Sequence, residues 1–186
     1  MLDFAAAQVF WLAEEDTSVV VLAPAPPLFT GIDAPDIEIA GSLIDSDGAH
    51  ALHDLSRGGR IQILRPADEP PTRRLVAVVP LDLEGFDRIE AIQRLLASLH
   101  GRAIPPDTRL TRQQRARLAR ALRALDGRRT GATQREIAEA LFRIGSLDRH
   151  SWQASSARYA VMSLLREART MIAGGYRHLL HHRRRP

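Results

Sequence analysis

The chain has 186 residues and a formal net charge of +4 at pH 7, long enough to bury a sizeable core in one large or two small domains. It holds no cysteine, which excludes disulfides and thiolate metal sites and leaves the redox compartment open. No apolar run approaches a membrane span, and the start is acidic (Asp3, then Glu14, Glu15 and Asp16) where a signal peptide is basic, so the cytoplasm is the expected location.

The small net charge conceals an asymmetry. Residues 1–101 hold 7 Arg against 16 Asp and Glu, a balance of −9, and residues 102–186 hold 19 Arg against 6, a balance of +13. A basic half beside an acidic half suggests a nucleic-acid-binding module joined to a part that avoids nucleic acid or meets a basic partner.

In chain order, Asp3 can cap a short helix through about Leu12. Thr17 to Leu22 is β-branched and apolar and ends at Pro24, Pro26 and Pro27, which reads as the first strand. Ile37-Glu38-Ile39 alternates towards Ile44. Asp45 to Gly48 is turn chemistry, and Ala49 to Leu55 can return antiparallel. Arg60 to Leu64 and Arg73 to Pro80 supply two more strands, so this part reads as an antiparallel meander. His50 and His53 are three apart on a strand and point to opposite faces.

From Leu83 the apolar period changes to that of a helix. Phe86, Ile89, Ile92, Leu95, Leu96 and Leu99 make one face, with Asp87, Arg88, Glu90 and Arg94 expected outward. Arg102 to Arg109, with Pro105-Pro106, is a short linker. Thr111 to Gln114 is a capping box opening a helix to about Asp126, with Leu118, Leu122 and Leu125 inward. A second capping box, Thr133 to Glu136, opens a short helix carrying Ile137, Ala138, Leu141 and Phe142. After a long connector, Arg143 to Gln153, a last helix begins at Ser155 or Ser156. It places Ala157, Val161, Leu164, Leu165, Ala168 and Ile172 on one face, and Gly174-Gly175 is its stop. Arg158, Met162, Arg166 and Arg169 form a stripe on the other face.

These readings give an α+β chain, a small antiparallel β-meander with a covering helix followed by a trihelical, helix-turn-helix-like DNA-binding domain. The expected domains are an acidic one at 1–101 for oligomer or partner contacts, a linker at 102–110, and a basic helical domain at 111–186 with an arginine-rich tail. For DNA, Ser156, Arg158 and Tyr159 are the candidates near base edges, Ser155 is a further DNA-binding candidate beside them, and Arg166 and Arg169 follow the groove. Arg128, Arg129, Thr133, Gln134 and Arg135 are candidates for phosphates, with Arg177 in the tail. Trp152 reads as a packing wedge that fixes the connector.

The run Leu122 to Asp126, then Gly131 to Ala138 with Leu141-Phe142, then Trp152, Ser155-Ser156, Arg158, Val161, Arg166 and Arg169, and finally Met171 to Arg177 with Leu179-Leu180, resembles domain-of-unknown-function family 2285. That family is found in proteobacterial transcriptional regulators, many encoded on integrative and conjugative elements. The resemblance implies DNA binding at promoters, and the family also includes short antiactivators that bind other regulators.

No nucleophile with a base, no paired carboxylates and no glycine-rich phosphate loop are found, so an enzyme is not expected and no cofactor is implied. His178, His181 and His182 share a helix face but have no nearby carboxylate or Cys, and are not read as zinc ligands. The expected function is a sequence-specific, DNA-binding transcriptional regulator, acting at promoters of a mobile element or of secretion or transfer genes. Its expected partners are double-stranded DNA, a second copy in a homo-oligomer (a dimer) and an antiactivator or other regulator protein, with no membrane. Two alternatives share the residues: an antiactivator or adaptor using the same basic face, and a DNA-bending recombination accessory factor.

Overall fold

The run Val19 to Leu22 is apolar and β-branched, and in the computed structural model it leads into β1 (Val20–Pro24), the strand around which the first half assembles. The structure describes residues 8–29, 35, 37, 41–55, 59–67, 74–145 and 148–181. The chain divides into two compact units, Met1–Asp107 with Leu180–Pro186, and Thr108–Leu179. Of the helix expected to end at Leu12, residues 1–7 lie outside the described residues and residues 8–12 are irregular.

The first unit is a five-stranded sheet in the order β2-β3-β4-β1-β5, with β2 at Gly41–Ile44, β3 at Gly48–Asp54, β4 at Arg60–Pro66 and β5 at Leu75–Ala77. β2, β3 and β4 form the expected antiparallel meander. The difference is β1, which inserts between β4 and β5, parallel to β4 and antiparallel to β5. Of the Ile37 to Ile39 run, Glu38 and Ile39 lie outside the described residues.

The turn from β2 to β3 is fixed by Asp45, whose Oδ1 accepts from the amides of Asp47 at 2.9 Å and Gly48 at 3.3 Å. Gly48 has φ 139° and passes so close to Arg65 that a Cβ would stand 2.1 Å from its carbonyl oxygen, so only glycine fits. Ile61 to Leu64 are all buried, because both faces of the sheet are covered. On one face Gln62 exchanges hydrogen bonds of 2.7 Å with the amide and carbonyl of Trp11. His50 lies there too, between Asp45 (3.0 Å) and Gln62 (3.2 Å). On the other face lies α1 (Gly85–Leu99), and His53 meets its Ser98 at 2.9 Å. The two histidines thus face opposite ways, as their spacing requires.

α1 corrects the expected helix face. Asp87 and Arg88 are buried, while Phe86, Ile89 and Leu96 are exposed. The inward face is Arg88, Ala91, Ile92, Leu95 and Leu99, one helical stripe. Arg88 is drawn in because its guanidinium donates to the buried carbonyl of Val19 at 3.1 Å and the half-buried carbonyl of Ala13 at 2.6 Å, pairing backbone acceptors there. Leu180 also belongs to this unit, where its carbonyl accepts from the Thr17 hydroxyl at 3.1 Å.

The second unit is helical: α2 (Arg112–Arg129), α3 (Gln134–Phe142), α4 (Arg149–Ala154) and α5 (Ser156–Ile172), then a 3-10 turn at Gly175–Leu179. Its core joins Ala121 and Ala124 of α2, Ile137 and Ala138 of α3, and Val161, Leu164, Leu165 and Ala168 of α5. Alanines on α2 let the helices approach closely, and Leu122, expected inward, is 56% exposed. Ile172, also expected inward, is 62% exposed at the last residue of α5. No described helix is long and apolar enough to cross a membrane.

Candidate nucleic-acid interface

Both helices expected to meet DNA are started by side-chain caps. At α3, the amide of Glu136 donates to the Thr133 hydroxyl at 3.3 Å, and Glu136 Oε2 accepts from the amide and the hydroxyl of Thr133, each at 2.7 Å. The Thr133 amide and hydroxyl hold the Glu136 carboxyl below its ordinary range, since donors favour the charged form. The same bonds commit both polar groups of Thr133 to the cap. Gln134 and Arg135 follow in the first turn, Arg135 paired with Glu139 at 3.6 Å.

At α5, Ser155 is the cap, accepting from the amide of Ala157 at 3.1 Å, and Ser156 is the first helical residue. One turn in, Arg158 lies half-buried, donates to the Gln153 carbonyl at 3.3 Å, and has its guanidinium carbon 5.9 Å from the centre of the Tyr159 ring. Tyr159 itself is 62% exposed. Val161, Leu164, Leu165 and Ala168 turn inward, so Met162, Arg166 and Arg169 project outward along the stripe begun by Arg158. A cation near an aromatic face gains a weak attraction that limits its rotamers, so Arg158 is more confined than its two exposed successors.

α5 is clamped as well as packed. Arg117 of α2 contacts Glu167 at 2.7 Å and donates to Ser163 at 3.1 Å. Arg128 and Arg129 occupy the exposed last turn of α2, and Arg128 donates to the Ala132 carbonyl at 3.2 Å in the turn leading to α3. Arg177 is exposed in the 3-10 turn that follows Gly174, whose φ is 109°. The structure therefore brings Ser155, Ser156, Arg158, Tyr159, Arg166 and Arg169 onto one helix. Arg128, Arg129, Thr133, Gln134 and Arg135 gather around one helix-to-helix turn, and Arg177 stands in a third place.

α4 was not anticipated in the connector between α3 and α5. Asp148 caps it, accepting from the amide of Ser151 at 2.9 Å and its hydroxyl at 2.9 Å, and those two donors lower the Asp148 pKa. The Asp148-x-x-Ser151 spacing is the helix-start signal that the connector carries in its sequence. α4 adds exposed Arg149 to the basic surface of this unit, and its Trp152 packs against the core as the expected wedge.

One acidic cluster stands apart, in the first unit. Asp45, Asp47 and His50 bring ligand atoms within 4.8 Å of one another, but His50 is already held by Asp45 and Gln62.

Compared with known proteins, residues 78–181 match the model of the family RovC_DNA-bd, described as "T6SS, Transcription factor, DNA binding domain". No curated protein and no solved structure matches the chain.

Proposed function

The chain belongs to this family of transcription-factor DNA-binding domains, which is not a family of enzymes, and from that premise we propose how it reads DNA. α5 enters the major groove as the recognition helix of a helix-turn-helix-like arrangement, with α3 as the positioning helix. Ser155, Ser156, Arg158 and Tyr159 meet base edges, and Arg166 and Arg169 follow the phosphates along the groove. The turn from α2 into α3, with Arg128, Arg129, Gln134 and Arg135, contacts the opposite backbone while Thr133 holds the α3 cap, and Arg177 adds a phosphate contact. What carries this reading is the division of α5: four buried apolar residues on one side, and a stripe of three arginines on the other.

The chain acts at the nucleoid in the cytoplasm as a promoter-binding regulator. The resemblance to family 2285 favours targets on a mobile element, or secretion or transfer genes. Residues 1–101 serve oligomer or partner contacts and residues 111–186 serve DNA. The dimer follows from the need of small helix-turn-helix proteins to span two half-sites.

Fluorescence anisotropy tests the reading directly. The full chain is titrated into random duplex and into a fragment from upstream of its own gene, across a salt series. Tighter binding to the upstream fragment, with a steep salt dependence on both, is expected. Equal affinity for the two would leave a DNA-bending accessory role. No binding to either at low salt would reject DNA and leave an adaptor that captures another regulator.

A further inference from the structure

α2 and α3 meet closely at Gly127, where an added Cβ would stand 3.2 Å from Ile137 Cγ1. Beside that contact the seam opens into a groove of about 640 Å³, within the usual range of small-molecule sites. Its floor is apolar, built by Ile137 and Leu141. Its rim is basic, with Arg120 and Arg123 from α2 and Arg143 just beyond α3, all three exposed.

The charges lining the groove do not cancel, since three arginines stand against one carboxylate, which keeps its charge. The carboxylate that lines the groove, Glu136, is engaged by the amide and hydroxyl of Thr133. Among the described residues neither Arg123 nor Arg143 has an ion-pair or hydrogen-bond partner. Arg143 also sits at φ 52° and ψ 37°, in the left-handed region, which a non-glycine residue enters only at a cost.

We propose that this groove binds an apolar monocarboxylate of drug-like size. Its chain or ring lies on Ile137 and Leu141, and its carboxylate is received by the rim guanidiniums, whose planar forks match a carboxylate in two-point contact. Charge complementarity selects the anion. The floor selects the apolar body, which inorganic phosphate or a DNA backbone would leave unused. The groove is formed within the helical unit alone, so the proposal stands whether or not α5 reads DNA.

Isothermal titration calorimetry of the full chain with octanoate and with 1-naphthoate tests it, with acetate and 1-octanol as controls. Saturable one-site binding of at least one of the two carboxylates is expected, with neither control binding at the same concentration. Arg143→Gly suits the backbone at φ 52°, and Arg123→Gln changes an exposed position. Each should weaken binding about tenfold, the value of one charged hydrogen bond. Circular dichroism checks the fold of both, and if one variant unfolds the other decides. No saturable binding of either carboxylate, equal binding of 1-octanol, or unchanged binding in a folded variant would overturn the proposal. Loss of duplex affinity in both variants, with no carboxylate binding by the parent, would overturn it too and assign the rim to DNA.

Discussion

α1 and α5 are amphipathic helices of similar length, 15 and 17 residues, and each covers the core of its own unit, yet they treat arginine in opposite ways. α5 buries only apolar residues and leaves Arg166 and Arg169 exposed. α1 buries Arg88 to 8% exposure and leaves Phe86 at 64%. The surfaces they cover account for this. α5 lies on α2 and α3, whose interior backbone groups are paired within their own helices, so shape and apolar area decide its face. α1 lies where β1 begins and where a loop passes, and there the carbonyls of Val19 and Ala13 need donors. On these two helices, arginine is therefore drawn in where irregular backbone offers carbonyls and left outward at Arg166 and Arg169 where the covered surface is apolar.

Six substitutions can break or sharpen that contrast. The largest effect is expected from Leu164→Ala, which removes side-chain volume from an all-apolar interface where Leu164 is 4% exposed. It should cost about 2–5 kcal/mol, read by urea unfolding followed through Trp152 fluorescence in a Trp11→Phe background. Next is Arg88→Met, which preserves bulk but leaves two carbonyls without a donor. It should cost about 1–3 kcal/mol, read through Trp11 in a Trp152→Phe background; an unchanged or raised stability would show that the buried guanidinium is dispensable.

Thr133→Ala removes the α3 cap and should cost about 1 kcal/mol. The same cap has a pH signature. The Glu136 pKa is lowered from 4.5 in the folded chain, so its contribution is fully present above pH 4.5 and is lost as pH falls through the lower folded value. Glu136→Gln should flatten that part of an acid-unfolding profile. The smallest effect belongs to Leu96→Gln, at a residue 49% exposed, which should stay within about 0.5 kcal/mol. The same change at neighbouring Leu95, 3% exposed, should be severe.

Much of this arrangement is local and hence readable from sequence. Both capping boxes, at Thr111 with Gln114 and at Thr133 with Glu136, form as their spacing requires, because a cap is decided within four residues. The α5 face is legible because four apolar residues at helical spacing meet an apolar surface. The α1 face is not, because the acceptors that claim Arg88 lie 69 and 75 residues away in sequence. Likewise nothing near Val20 announces that β1 runs parallel to β4, a pairing set by the whole sheet. The charge contrast between the halves was plain in composition. The basic groove between α2 and α3 was not, since Arg143, at its rim, is itself the left-handed residue that ends α3.

The claim at the centre is that the exposed arginines of α5 face duplex DNA. Its most direct test is the salt slope of duplex affinity for Arg166→Ala and Arg169→Ala beside Arg60→Ala, an exposed arginine of the first unit paired with Asp54 at 2.8 Å. Each α5 substitution should reduce the magnitude of the slope of log affinity against log salt by about 0.9, one phosphate apiece, and Arg60→Ala should leave it unchanged. Slopes unaltered in both α5 variants, or reduced equally by Arg60→Ala, would contradict the account.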